Sequence, residues 1–330
     1  MPDIPRLRSI ITGFQQSAAV NVAAELGLSD LLASGPRTVS DLAAETSTDE
    51  ETLGRLLHAL STIGVYDQQT DGRYAITDLG EGLRSDLRGT LRPLARTVRA
   101  PVHWAAWGHL EHSVRTGENA FQALHGVDVW THRGRHPGEN EIFNDNMASL
   151  TSAVGDAVAK GYDFSALSSV VDVGGGQGAL LAAVLGRHTH LRGTVFDLPQ
   201  AVAAAPPDAA LAARWSAASG SFFEEVPEAD AYLLKSILHD WPDERCIEIL
   251  RTCRRGLRPG GVVLVVEQIL GHPGYERDAA FSDLNMLVMP GGRERTEQAY
   301  AALFAAAGLR LDGVIDTSSP MSIVEARVAA

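Results

Sequence analysis

His239 lies in the stretch LLKSILHDWPDE, just past a run that reads as a β-strand. An imidazole titrates near neutrality, so a histidine placed there can take a proton from a hydroxyl at physiological pH. The same residue also reads as a structural histidine packed on Trp241. Glu267 closes a second strand-like run, VVLVVEQ, where a carboxylate could hold the tautomer and orientation of an imidazole. Glu294, in GGRERTEQAY, stands just before a helix pattern. A solvated carboxylate is also at ease at such a place.

A second group of residues points to a ligand. SVVDVGGGQGALLAAVLG reads as strand, glycine turn and helix, with Gly174, Gly176 and Gly178 in alternate positions. Glycine permits positive φ and close approach of a ligand, and the helix start offers free N–H groups. Dinucleotide folds use a different spacing, G-x-G-x-x-G, to hold a pyrophosphate. Here Asp172 immediately precedes the turn, and a carboxylate disfavours a pyrophosphate but suits an ammonium- or sulfonium-bearing ligand. The next strand pattern, TVFDL, ends in Asp197. A carboxylate at that point commonly grips the two ribose hydroxyls of a nucleoside. A tight structural β–α turn is the plainer account of the glycines alone; the turn and Asp197 together favour the ligand.

Other candidates carry less. His109 and His112 share a helix face with Glu111 nearby, but no third metal ligand is evident, so no metal is expected. Cys246 and Cys253 sit seven apart in a helix pattern and read as buried thiols, neither a disulfide framework nor a zinc site. Lysine occurs only at Lys160 and Lys235, which draws notice to each. Aromatics and methionines such as Trp104, Phe143 and Met147 could line a substrate pocket or simply pack.

The elements that must position these groups fall into two halves. Through about residue 100 the pattern is helical: SAAVNVAAELGLSDLLAS, TVSDLAAE, and TDEETLGRLLHALSTIG. The last of these starts with Thr48 and Glu51 at capping-box spacing. VYDQQTDGRYAIT then reads as a hairpin about Asp71 and Gly72, giving a winged-helix pattern. Residues 101–160 are mostly helical and hold six histidines between His103 and His136. Beyond Tyr162, strand patterns alternate with helices, which indicates a parallel α/β sheet. The last two, LRLDGVI and MSIVEARV, follow each other directly and should form an antiparallel hairpin. The expected division is residues 1–100 and 101–330.

Bulk properties limit the partners. The chain has 330 residues, 45% of them hydrophobic, and a formal net charge of −13. Such acidity repels nucleic-acid phosphates. The start, MPDIPRLRSI, lacks a signal-peptide apolar core, and the apolar runs are too short to span a bilayer. The reading is a soluble, cytoplasmic protein with no membrane or nucleic-acid partner.

Taken in order, DVGGGQG, FDLP, GSFFEEVP, LLKSILHDWPDE, LRPGG and GGRERT resemble the S-adenosylmethionine-dependent O-methyltransferases of plant phenolics and bacterial aromatic polyketides. The resemblance covers nearly the whole chain. It implies a Rossmann-like class I methyltransferase domain with a seven-stranded, mostly parallel sheet, and an N-terminal, mostly helical winged-helix domain that forms a homodimer. It implies S-adenosyl-L-methionine held by Asp172, Gly174, Gly176, Gly178 and Asp197, with Leu198 and Phe222 against adenine and Lys235 and Ser236 close by. It matches His239 to a general base bracketed by Glu267 and Glu294. Trp104, Phe143, Met147, Asp240, Asp283, Asn285 and Met286 would border a small aromatic substrate, with residues 101–160 shaping its pocket. One departure is Ser221, where the family usually has an aspartate that contacts the adenine amino group; a hydroxyl can still accept a hydrogen bond. Thr189 also replaces a usual proline after His188.

Other activities fit parts of the pattern. Methyl transfer to nitrogen on a similar scaffold would need less help from His239. A ligand-responsive DNA-binding regulator would use the winged helix as a reader, but Asp49, Glu50 and Glu51 put acid where DNA contact wants base.

Overall fold

The computed structural model describes residues 2–202 and 209–329. Its contacts divide the chain into two compact units, Met1–Trp104 with His136–Leu150, and Ala105–Arg135 with Thr151–Ala330. The first unit thus runs to Trp104 and takes in His136–Leu150, a division that a single cut at residue 100 does not describe. The helix Pro137–Gly161 supplies residues to both units. Within the first unit, its Ser149 hydroxyl donates to the Thr90 carbonyl at 2.6 Å.

The first unit is built on helices Gly13–Leu26, Val39–Thr46 and Glu50–Thr62 and a two-stranded ribbon, β1 (Tyr66–Gln68) and β2 (Tyr74–Ile76). Leu28, Leu32, Leu42, Leu53, Leu57 and Leu60 form its core. Gly72 takes φ +82° at the ribbon's turn, where a side chain would be strained. The capping box expected at Thr48 is not formed. Asp49 caps Glu50–Thr62 by accepting from the Thr52 N–H at 2.9 Å, and the Thr48 hydroxyl pairs with that of Thr46. The capping box lies one helix earlier, between Thr38 and Asp41.

The second unit carries seven strands: β3 (Ser169–Val173), β4 (Arg192–Asp197), β5 (Trp215–Ser219), β6 (Ala229–Lys235), β7 (Leu257–Glu267), β8 (Leu309–Asp316) and β9 (Ser322–Val328). Their order is β5-β4-β3-β6-β7-β9-β8. The first five are mutually parallel, and β9 runs antiparallel between β7 and β8, as the missing helix between the last two strands required. Strands β3, β6 and β7 are nearly continuous apolar runs because both faces are covered. One core holds Cys246, Ile249, Cys253, Val263 and Phe304, the other Val158, Leu181, Val184, Leu233 and Leu264. Both cysteines are buried free thiols. The chain order reverses between β3 and β6, and in such sheets ligands bind outside the carboxyl ends of the strands at that point.

Candidate active site

β3 ends in the glycine turn. Gly174, Gly176 and Gly178 all take positive φ, at +68°, +53° and +75°. A methyl group on Gly174 would run into the Ile237 side chain, and one on Gly178 into the Trp215 indole, whereas one on Gly176 would meet nothing within 4 Å among the described residues. Two of the glycines are therefore required by packing; the third faces open space at the mouth of the turn. A Cβ on Gly175 would lie 2.7 Å from Asp172 Cγ, so the Asp172 carboxylate lies against the turn.

Asp172 is 2% exposed, and its Oδ2 has no hydrogen-bond partner among the described residues. Burial pushes its carboxyl up to about 7, against the pull of the Leu181 N–H and the Lys235 charge. An orphaned carboxylate oxygen in a dry site awaits a donor, and a cation is the donor that best offsets its burial. Across the turn Asp197 accepts from the Gly176 N–H at 2.8 Å and from the Leu198 N–H at 2.7 Å. Burial raises this carboxyl also. Its two oxygens hold the mouth of the turn in shape and retain lone pairs for hydroxyl donors. Leu198 is 47% exposed, an apolar surface beside Asp197. Phe222 lies 3.8 Å from where a Gly174 Cβ would stand. The Ser221 hydroxyl accepts from the Phe223 N–H at 3.3 Å. These residues fit a nucleoside that carries a positive charge.

β6 ends in Lys235, and Ser236 follows it; both are buried. Ser236 takes φ +55°, a left-handed conformation that costs a non-glycine residue and clusters at functional sites. Burial pulls the Lys235 ammonium down to about 8, while Asp172, Asp240 and Glu267 pull it up. The short 3-10 turn Leu238–Asp240 follows. Ile237 packs on Gly174, which ties this turn to the glycine turn.

His239 donates from Nδ1 to Glu294 Oε1 at 2.8 Å. With that nitrogen engaged, Nε2 is the one left for chemistry. Asp240 Oδ1 stands 3.7 Å from Nε2. Burial pulls the imidazole down, but Glu294 and Asp240 outweigh it and hold the ring up at about 10. Burial raises Asp240 to about 6, against the charges of His239 and Arg133. Glu294 is itself buried and also accepts the Ser282 hydroxyl at 2.6 Å.

Glu267 acts differently from the expectation that it holds the ring. Its Oε1 accepts the backbone N–H groups of Ile237 and His239, each at 3.1 Å, and its Oε2 accepts the Tyr300 hydroxyl. It fixes the main chain from which His239 hangs. Asp283, expected on a pocket wall, instead accepts the Glu294 N–H at 2.9 Å. Asn285 accepts from Trp107 Nε1 at 3.2 Å, and Met286 is buried. Trp104, Phe143 and Met147 belong to the first unit.

Sequence reasoning missed Ser282, Arg295, Tyr300 and the aromatic group around Trp241, which stacks on Trp130 and meets Phe223 edge-on. Serine beside Asp283 and arginine beside Glu294 were adjacent to residues already singled out, and that adjacency was the available signal. His109 and His112 stack at 4.8 Å, and His112 Nε2 bonds Glu118.

Comparison with known proteins identifies both halves. Residues 107–310 match the family described as O-methyltransferase domain, and residues 9–86 the O-methyltransferase dimerisation domain. The phenazine O-methyltransferase PhzM of Lysobacter antibioticus is 39% identical over 97% of this chain and 95% of its own length. The crystal structure of LaPhzM superposes with a TM-score of 0.93 at 38% identity, covering 99% of this chain and 100% of that one. NcsB1 from neocarzinostatin biosynthesis, solved with S-adenosylmethionine and 2-hydroxy-5-methyl naphthoic acid, gives 0.80 at 35% identity over 96% of both chains.

Proposed function

The chain belongs to the S-adenosylmethionine-dependent O-methyltransferases, and we propose that its acceptor is a hydroxyl on a small aromatic secondary metabolite, with His239 as the general base. The observation that carries this reading is the Nδ1–Glu294 pairing of His239 on a turn packed against the glycine turn. Phenazine and naphthoic acid ligands, named for relatives of this chain, are aromatic.

When bound, S-adenosylmethionine supplies a methyl group activated by a positively charged sulfur. Asp172, Gly174, Gly176 and Gly178 would hold it at the end of β3, with Asp197 on the ribose hydroxyls, Leu198 and Phe222 against the adenine, Ser221 in place of the usual aspartate, and Lys235 and Ser236 alongside. A phenol has a pKa near 10 and is mostly protonated at neutral pH. His239 Nε2 takes the acceptor's proton as the oxygen attacks, and Glu294 stabilises the imidazolium that forms. Glu267 keeps the main chain of the turn in register, and Asp240 lies on the acceptor side of the ring. Orientation of the acceptor oxygen contributes alongside proton removal.

The finer partners follow from the first unit and the charge. Ile4, Leu7, Ile10 and Ile11 on the helix Ile4–Ile11, and Phe14 on the next, are exposed apolar residues. With the dimerisation-domain match this supports a homodimer through the N-terminal unit, to be checked by sedimentation. The charge of −13 argues against a nucleic-acid partner; no helix among the described residues is long and apolar enough to cross a membrane, and a biosynthetic role like that of its relatives supports a cytoplasmic location.

The test is incubation with methyl-labelled S-adenosylmethionine and a panel of phenolic and hydroxylated polycyclic metabolites, with label transfer read by mass spectrometry. His239→Ala should cut turnover about 100-fold or more while binding of S-adenosylhomocysteine survives. Unchanged turnover removes His239 from the base role.

A further inference from the structure

Glu294 holds the His239 ring by one nitrogen. The turn beneath that ring is fastened by a residue that reaches no reacting atom. Arg295 is 1% exposed. Its Nη1 donates to the carbonyl of Leu238 at 2.9 Å and of Arg293 at 3.2 Å. Its Nη2 donates to the carbonyl of Trp241 at 2.8 Å and to Asp243 Oδ1 at 2.8 Å, and its Nε to the same oxygen at 3.1 Å. All five guanidinium N–H groups are thereby used, which is the full donor capacity of the side chain.

The acceptors are placed with consequence. Leu238 and Trp241 flank the His239–Asp240 pair, so one planar group grips both ends of the turn that carries the base. The same segment returns the grip. The Arg293 N–H donates to the His239 carbonyl at 2.8 Å, and a side chain at Gly292 would collide with that carbonyl. Glu294, the ring's partner, lies between Arg293 and Arg295. The segment 292–295 therefore holds the imidazole and its backbone together, with Arg295 as the piece that fixes their distance.

We propose that Arg295 is a positioning residue for methyl transfer: its guanidinium clamps the Leu238–Trp241 turn to the segment that carries Glu294, and so aims His239 Nε2. The proposal rests on the reading of His239 as the base. A lysine would keep the charge at 295 but offers three donors on a compact head, which cannot span carbonyls on both sides of the turn and the Asp243 carboxylate as well.

The test is a double-mutant cycle between Arg295→Lys and His239→Ala on the full-length enzyme. Misplacement of a reacting group by an ångström costs about 100-fold in rate, so Arg295→Lys should lower kcat by roughly 10- to 100-fold with KM and S-adenosylhomocysteine affinity within about threefold. In the His239→Ala background the same change should cost less than about threefold, because there is no base left to aim. Equal losses in both backgrounds would mean that Arg295 serves the fold alone and would overturn the proposal. His239→Ala by itself tests the base reading, so the two failures are separable. Should Arg295→Lys not fold, Asp243→Asn goes through the same cycle. Its side chain is partly exposed, and loosening the guanidinium from that side should cost about 3- to 10-fold in kcat with His239 present and nothing measurable without it. A loss independent of His239 refutes the clamp.

Discussion

Replacing Asp172 by asparagine should make the ligand-free enzyme more stable and a poorer binder of its cofactor. Burial raises this carboxyl from 3.8 to about 7, a rise of about 3 units, worth roughly 4 kcal/mol at about 1.4 kcal/mol per unit. The sign follows from linkage. A carboxyl whose folded pKa is raised binds its proton more tightly when folded, so its ionisation costs stability progressively from about pH 4 up to about pH 7, and the cost is complete above. Asparagine removes that cost but leaves an amide N–H without a partner and takes a negative charge from Lys235, which returns about 1–3 kcal/mol. The net gain is about 1–3 kcal/mol at pH 8.5, roughly 2–12 °C in melting temperature for a unit of this size; it should fall as pH drops and reverse sign by about pH 4, where only the penalty of the unpaired amide remains. Binding should move the other way. A hydrogen bond to a charged group contributes about 1.5–3 kcal/mol, so titration calorimetry with S-adenosylhomocysteine should show affinity about 10- to 100-fold weaker. If the variant binds within threefold of the parent, or is the less stable protein at pH 8.5, then Asp172 is not the buried anion awaiting the ligand's ammonium, and the reasoning from its orphaned oxygen fails.

Glu294→Gln should lower the His239 pKa from about 10 towards its ordinary value, since Glu294 is the largest of the influences raising it; nitrogen chemical shifts across pH would show this, along with a loss of about 10-fold or more in kcat. Gly178→Ala imposes a side chain at φ +75° and against the Trp215 indole, a strain of about 1–3 kcal/mol before the clash is counted; chemical denaturation should show at least that loss, and cofactor affinity should fall with it. S-adenosylmethionine should bind more tightly as pH rises from 6 to 8, because Asp172 and Asp240 hold protons in that window, at about 7 and about 6; calorimetry in buffers of different ionisation enthalpy should report proton release.

How far the site could be read from the sequence depends on whether each feature is local. The run Val170-Val171-Asp172-Val173 into glycines fixes strand, turn and helix start within a dozen residues, and the structure has them there. His239, Glu267 and Glu294 were legible as a set only through the order of motifs, since their meeting depends on β6 and β7 lying side by side. What each carboxylate does was not legible. Glu267 spends Oε1 on two backbone N–H groups, and no spacing in VVLVVEQ says that the turn after β6 will present them. Arg295 and Tyr300 escaped for the same reason, as most of their partners lie 33 to 57 positions away. The cap at Asp49 was a contest between two adjacent cap-competent residues, settled by a single residue of helix register. Helical periodicity in 136–150 shows that a face is buried but not in which core, and those residues count with the first unit.

Apart from Lys235, which burial lowers, the perturbed acids and the histidine of the site shift one way. Asp172, Asp197, Asp240 and Glu267 are raised first by burial, and His239 is raised because carboxylates surround it. Each of these shifts is towards holding a proton, as burial among more carboxylates than cations dictates. The surrounding carboxylates, Glu294 foremost, favour the charged form of the imidazole. The same excess of carboxylates that keeps it charged is what recommends the site to a sulfonium and an ammonium. The carboxylates that hold the ring charged are thus the same groups that suit a positively charged ligand, so the two properties have one electrostatic origin.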